Sequence, residues 1–273
     1  MGELRTLAGE LALYRRLVGA RLRGQMQYRA SFALQVAGNF AGNFVELLAI
    51  FILFRHFTSL GGWSVGEVAF LYSLSGISFG IAHGIGAGFA TFSQQIARGE
   101  FDRVLTRPIG TLLQVLASDV QLYRFGTIVQ GIIAFGIALH LTDIHWTPVR
   151  ILYVPLVVAS AAVLFTALFA LEATLCFWTT EATEVVNAFT YGGTTLAEYP
   201  LHIFGPWLRR LFIFVIPLGL IIYEPALYIL RKPDPLGLPS LARFAGPLAA
   251  PLFAAVAWIA WSLGVRHYRS TGS

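Results

Sequence analysis

Few residues of this sequence combine type and spacing in a way that supports chemistry, and those few stand in apolar surroundings. Asn39, Asn43 and Glu46 recur at helical intervals within one apolar run, so two amides and a carboxylate share a face. A carboxylate in hydrocarbon costs about 2.5–3.5 kcal/mol on insertion scales, so this face turns toward protein or water. It either lines a substrate path or hydrogen-bonds a neighbouring helix. Glu172 and His83, each isolated in a later apolar run, admit the same two readings. His140, Asp143 and His145 crowd one short segment. Imidazole and carboxylate suit zinc, but ligands so close in one loop are weak support for a site and no further ligand is evident, so no metal is expected. There is no G-x-x-x-x-G-K-[ST] phosphate loop and no G-x-S-x-G nucleophile elbow. Neither catalytic nor cofactor-binding residues are expected in this chain.

The composition says what surrounds these residues. Of 273 residues, 56% are hydrophobic and 12% charged, against about 25% charged in soluble domains. That is too little polar surface to wrap a water-facing globule, so the solvent is lipid. The net charge of +5 is carried by arginine, with Lys232 the single lysine. The arginines stand at the ends of apolar runs, which fits the positive-inside rule and anionic headgroups and argues against nucleic acid. The single cysteine, Cys176, makes no intrachain disulfide and reads as a small buried hydrophobe.

Residues 1–30 read as an amphipathic interfacial segment, with Leu4, Leu7, Leu11, Tyr14 and Val18 at helical spacing and arginines largely elsewhere; a merely solvated basic leader is the alternative. No cleavable signal peptide is evident, because the first apolar run is too long and follows a long arginine-rich stretch. Residues 31–273 read as one all-α transmembrane domain. A span takes about 20 apolar residues, and the candidates are roughly 32–54, 66–92, 122–141, 151–178, 183–200 and 245–265. With the N-terminus inside, Arg98, Arg103, Arg107, Arg266 and Arg269 join the basic leader there, while Arg55, Arg150, Arg231, Lys232 and Arg243 fall outside. This surplus predicts both ends inside and about six crossings.

Region 183–230 has two parses. Hydropathy picks Trp207–Leu230 as the fifth span, with Arg209 and Arg210 at its inner end. Otherwise 183–200 is the span, and 201–230 re-enters the membrane from outside and returns, bent at Pro217. Irregular backbone at that depth requires shielding by protein.

Gly76, Gly80, Gly84 and Gly88 form a stripe on the second span, and Gly38 with Gly42 a shorter one on the first. Small residues allow close helix approach in lipid, within the chain or at a subunit interface. The connection after span two, residues 96–107, mixes Arg98, Glu100, Asp102, Arg103 and Arg107 with Phe101, Val104 and Leu105 at helical spacing. Gly99 and Pro108 punctuate it. A short amphipathic helix along the membrane is expected, either an ordinary linker or an element that docks into a partner's groove.

The ten residues G-E-F-D-R-V-L-T-R-P from Gly99 to Pro108 resemble the G-x-[FL]-D-x-x-L-x-[RK]-P motif of ABC-2-type transporter permeases. The later Tyr199-Pro200…Ile203-Phe204, Ile216-Pro217 and Tyr223…Pro225 resemble a Y-P-x-x-I-[FY]…I-P…Y-x-P pattern of the uncharacterised branch formerly called DUF990. The resemblance covers essentially the whole chain. It implies a six-span permease that pairs with a second, identical or homologous permease in a bacterial cytoplasmic membrane. Separately encoded cytosolic ABC ATPase subunits would bind ATP and Mg. The loop after span two would be the coupling helix, through Arg98, Gly99, Glu100, Phe101, Asp102, Arg103, Leu105, Arg107 and Pro108. Such proteins are mostly exporters, and the resemblance favours the re-entrant hairpin around Tyr199, Pro200, Pro217 and Pro225. Arg209 and Arg210 would then lie outside, against the charge rule. The rival readings are a lipid-modifying membrane enzyme, which would need the His140/Asp143/His145 cluster, and a channel or scaffold.

Overall fold

The computed structural model of the chain describes residues 19, 23–24, 27, 29–107, 110–119, 121–179 and 183–268, without the side chains of 122 and 183–189. Most of the amphipathic leader, Pro108 and Arg269 lie outside the described residues. The described chain is helical throughout, with a single isolated bridge between Leu60 and Trp63. In chain order the elements are α1 (Arg29–His56), α2 (Val65–Ala90), α3 (Phe92–Ala97), α4 (Phe101–Leu105), α5 (Thr111–Leu116), α6 (Phe125–Leu141), α7 (Pro148–Leu175), α8 (Thr183–Ala197), the bent pair α9 (Pro206–Val215) and α10 (Gly219–Leu230), and α11 (Gly246–His267).

Local chemistry sets the boundaries. A tight turn closes between α1 and α2, where Leu60 and Trp63 exchange backbone hydrogen bonds of 2.9 and 3.0 Å. Gly61 and Gly62 hold φ of 58° and 81° at its centre, as a primed hairpin turn requires. Ser64 then caps α2 in a capping box with Glu67. Thr147 caps α7, with Pro148 in its first turn, where a missing N–H is harmless.

Helix α2 is the centre of the bundle, buried along most of its length. It packs on α6 on one side and α7 on the other. Beyond these, α1 leans on α6 and α11 on α7, giving a row α1–α6–α2–α7–α11. The short α8 and the second arm α10 pack where α2 and α7 meet. Leu34, Val45, Ile52, Leu152, Leu248 and Leu252 are exposed on the outside of this row, as surface bathed in lipid must be.

Four helices are long and apolar enough to cross a bilayer alone, namely α1, α2 continued by α3, α7 and α11, and a fifth if α9 and α10 count as one. At 17 and 15 residues, α6 and α8 are shorter than the expected spans at 122–141 and 183–200. At a rise of about 1.5 Å per residue they fall short of the roughly 30 Å hydrocarbon core. The chain is therefore multi-pass, and two of the expected crossings fall on helices too short to span alone.

Between α9 and α10 the axis bends by 79° at Ile216–Leu218. Pro217 has no N–H to continue the ladder, Ile216 is extended, and the flanking turns are of the wide π type. Both ends of this pair reach the same turn. His202, before α9, places Nε2 2.8 Å from the Gly61 carbonyl oxygen, and Lys232, after α10, donates to the Gly62 carbonyl at 3.1 Å. Lys232 also pairs with Glu67 at 2.8 and 2.9 Å, and His202 meets the Tyr223 hydroxyl at 2.8 Å.

Candidate functional site

The connection after α3 is built differently from a continuous amphipathic helix over 96–107. Ile96 and Ala97 finish α3, residues 98–100 turn, and only Phe101–Leu105 is helical. The turn is a Schellman motif: the Glu100 N–H bonds the Gln95 carbonyl and the Gly99 N–H the Ile96 carbonyl, both at 3.0 Å. Gly99 takes φ 67°, which a Cβ disfavours, and this explains the glycine that opens the segment.

The turn delivers Phe101 inward, where it is fully buried. Its ring sits in an aromatic socket. Phe92 and Phe177 meet it at centroid distances of 5.3 Å, Tyr268 at 5.0 Å and Trp261 at 6.4 Å, all edge-to-face. Phe92, Phe177 and Trp261 are mutually within 5.0–5.3 Å. Such offset and edge-on pairs are the favoured ring geometries. The socket joins α3, the end of α7 and the end of α11 at one point. Asp102 lies beside the Tyr268 hydroxyl; burial, reinforced by that carboxylate, pushes the phenol above its ordinary range. Phe101, expected on the apolar edge of the segment, anchors that segment to its own bundle.

The same junction is tied from the other side. Gln114 donates to the Val104 carbonyl at 3.0 Å, Gln95 to the Ser118 hydroxyl at 3.2 Å, and the Trp261 indole to Thr111 at 3.0 Å. Helix α5 presses its backbone on Gly88, where an added Cβ would collide with the Val115 carbonyl. What remains outward is charged: Arg98, Glu100, Arg103 and Arg107 are exposed, with Leu105 and Thr106 among them. The segment is a rigid plug with a solvent-facing polar surface, and a plug in a close-packed socket moves only by moving its walls.

Asn39 and Asn43 are used within the chain. Asn43 donates to Thr127 at 2.8 Å and Thr127 to Asn39 at 2.8 Å; Gln130 donates to the Asn43 carbonyl and, at 2.7 Å, to Tyr72. These bonds sew α1 to α6, beside a close approach where a Cβ on Gly126 would lie 2.8 Å from the Val36 carbonyl oxygen. Glu46 is exposed and outside this seam. Glu172 is buried, and so is His83, whose Nε2 meets the Tyr191 hydroxyl at 3.0 Å. His140, Asp143 and His145 are exposed; no group of three potential metal ligands occurs among the described residues, and the His145 carbonyl accepts from Arg150 at 2.6 Å.

The glycine stripe divides. Gly80 lies against Ile128 and Gly88 against α5, Gly84 is in ordinary contact, and Gly76, Gly38 and Gly42 have open space where a Cβ would be. Among the described residues, no neighbouring side chain or backbone packs against these last three. Gly66, Gly131 and Gly264 make tighter approaches, to Leu141, Ile77 and Phe177, and no spacing of four marks them. Tyr199 and Pro200 precede α9, Pro217 sits at the bend and Pro225 in the first turn of Glu224–Leu230. The clamp residues His202 and Lys232 and the socket residues Phe92, Phe177, Trp261 and Tyr268 went unmarked in the sequence; only the tight Gly61-Gly62 pair and the aromatic ends of the spans hinted at them.

The family model for an ABC-2 family transporter protein matches residues 40–272, from within α1 to beyond α11. The chain matches no curated protein and no solved structure. With a match over that length on an all-helical, multi-pass bundle, the chain belongs to the ABC-2 transporter family and is a membrane permease subunit of an ABC transporter.

Proposed function

We propose that this permease is driven by a separate cytosolic ATPase through the segment 96–107, with Phe101 as the lever's fulcrum and the exposed face as the contact. The observation that carries this is the Phe101 socket: one buried ring touches the ends of α3, α7 and α11 while Arg98, Glu100, Arg103, Leu105 and Arg107 stay outside. A rotation of Phe101–Leu105 reaches three helices at once, and two discrete packings of such a junction are the substance of a switch. ATP and Mg belong to the partner, whose nucleotide state biases the equilibrium.

The reading extends to topology. The N- and C-terminal ends face the cytosol of a bacterial cytoplasmic membrane, with six crossings that include the short α6 and α8. The pair α9/α10 is a re-entrant outer hairpin, supported by the grip of His202 and Lys232 on adjacent carbonyls of one turn. A second permease subunit covers α1, where Gly38 and Gly42 have open space among the described residues. Transport runs outward.

The test is co-purification. Arg103→Glu with Arg107→Glu is expected to abolish retention of the ATPase on tagged permease while leaving the permease folded. Full retention by the reversed-charge variant contradicts the proposed contact.

A further inference from the structure

The hairpin carries a second feature that transmission of motion does not use. Pro206, Arg209, Arg210, Ile213 and Phe214 of α9, with Leu236 and Leu238 of the following loop, enclose a cleft of about 340 Å³. Two arginines line it and no acidic residue does, among the described residues. Arg209, which lines it, has its Nε buried without a hydrogen-bond partner among the described residues. Asp234, in the same loop, is occupied elsewhere: its carboxylate oxygens accept the Leu236 and Leu238 N–H groups at 2.7 and 2.5 Å. The rest of the cleft is apolar. Trp207, which follows Pro206 in α9, is exposed, as are Phe214 and Val215. An exposed tryptophan beside arginines marks the headgroup level of a bilayer.

A buried guanidinium nitrogen without a partner costs free energy unless an acceptor reaches it. Arginine's planar fork matches a phosphate bidentately. We propose that this cleft binds an anionic phospholipid, its phosphate on Arg209 and Arg210 and its first methylenes on Ile213, Phe214 and Leu236. The apolar half distinguishes this occupant from a free phosphate, which would leave those walls wet. Which leaflet supplies the lipid rests on the hairpin reading above; the binding itself does not.

Native mass spectrometry of the detergent-purified chain, titrated with phosphatidylglycerol, phosphatidylcholine and inorganic phosphate, tests it. Phosphatidylglycerol is expected to bind about tenfold more tightly than phosphatidylcholine, whose phosphate is the same but whose choline ammonium is repelled by the two arginines. Arg209→Gln with Arg210→Gln is expected to erase that preference, weakening phosphatidylglycerol more than phosphatidylcholine. Should the double variant fail to fold, Arg210→Gln alone, at an exposed position, is expected to weaken phosphatidylglycerol by about threefold. Equal retention of the two lipids by the wild type, or an undiminished preference in the variants, overturns the proposal. Inorganic phosphate binding as tightly as the lipid overturns it in favour of a small-anion site. Labelling of Arg210→Cys by an impermeant thiol reagent only from the side of the N-terminus would contradict the hairpin while leaving the binding result intact.

Discussion

His202 and Lys232 hold adjacent carbonyl oxygens, those of Gly61 and Gly62, at 2.8 and 3.1 Å. One lies before the bent pair and the other after it, so the chain leaves this turn through α9 and returns to it through α10. Trp63 completes the clamp, stacked on Tyr223 at 5.6 Å with the Lys232 ammonium 5.2 Å above its ring.

Lys232→Met should loosen this clamp. It removes the partner of Glu67, a pair only about one-fifth exposed, and a donor to Gly62. A loss of about 1.5–3 kcal/mol is expected, the range for a hydrogen bond to a charged group. Thermal unfolding in detergent checks it; an unchanged midpoint would mean that the turn is held by other contacts.

Phe101 and Leu105 should separate cleanly. Phe101→Ala empties the socket and is expected to cost about 3–5 kcal/mol. Leu105→Ala, at an exposed position, should stay within about 0.5 kcal/mol yet weaken ATPase binding. Denaturation and co-purification measured on both variants decide this, and equal stability losses would refute the division into anchor and contact.

The glycines give a graded series. Gly88→Ala drives a Cβ into the Val115 carbonyl and should cost about 1–3 kcal/mol. Gly99→Ala forces an alanine into the left-handed region at about 1–2 kcal/mol. Gly76→Ala meets open space and should leave the melting curve unchanged. A destabilised Gly76→Ala would reveal a contact with a second subunit.

Asn43→Leu distinguishes seam from substrate path. A seam predicts a stability loss of about 0.6–2 kcal/mol with transport retained per folded molecule. Transport lost at unchanged stability would place Asn43 on the path.

The long apolar runs made α1, α2, α7 and α11 legible in the sequence, because length and hydropathy suffice for helices facing lipid. The short α8 was harder to bound: Thr190, Thr194, Thr195 and two glycines dilute its apolar signal, and it survives by packing on α2 and α7. In the segment 96–107, spacing set Phe101, Val104 and Leu105 on one edge, but periodicity is blind to whether an edge faces in or out. The Schellman turn at Gly99 decides that, and the socket walls come from three distant parts of the chain. The cleft that Arg209 and Arg210 line with Leu236 and Leu238 joins separate parts of the chain, which no local pattern in the sequence marks.

Site-directed photocrosslinking tests the central claim most directly. A photoreactive residue replacing Leu105, in membranes of the native host, should capture one nucleotide-binding ATPase, with the yield changing when ATP is trapped; the same residue replacing Leu241, exposed on the loop before α11, should capture none. Capture of the ATPase from position 241, or its absence from position 105 while the two proteins still co-purify, would contradict the account.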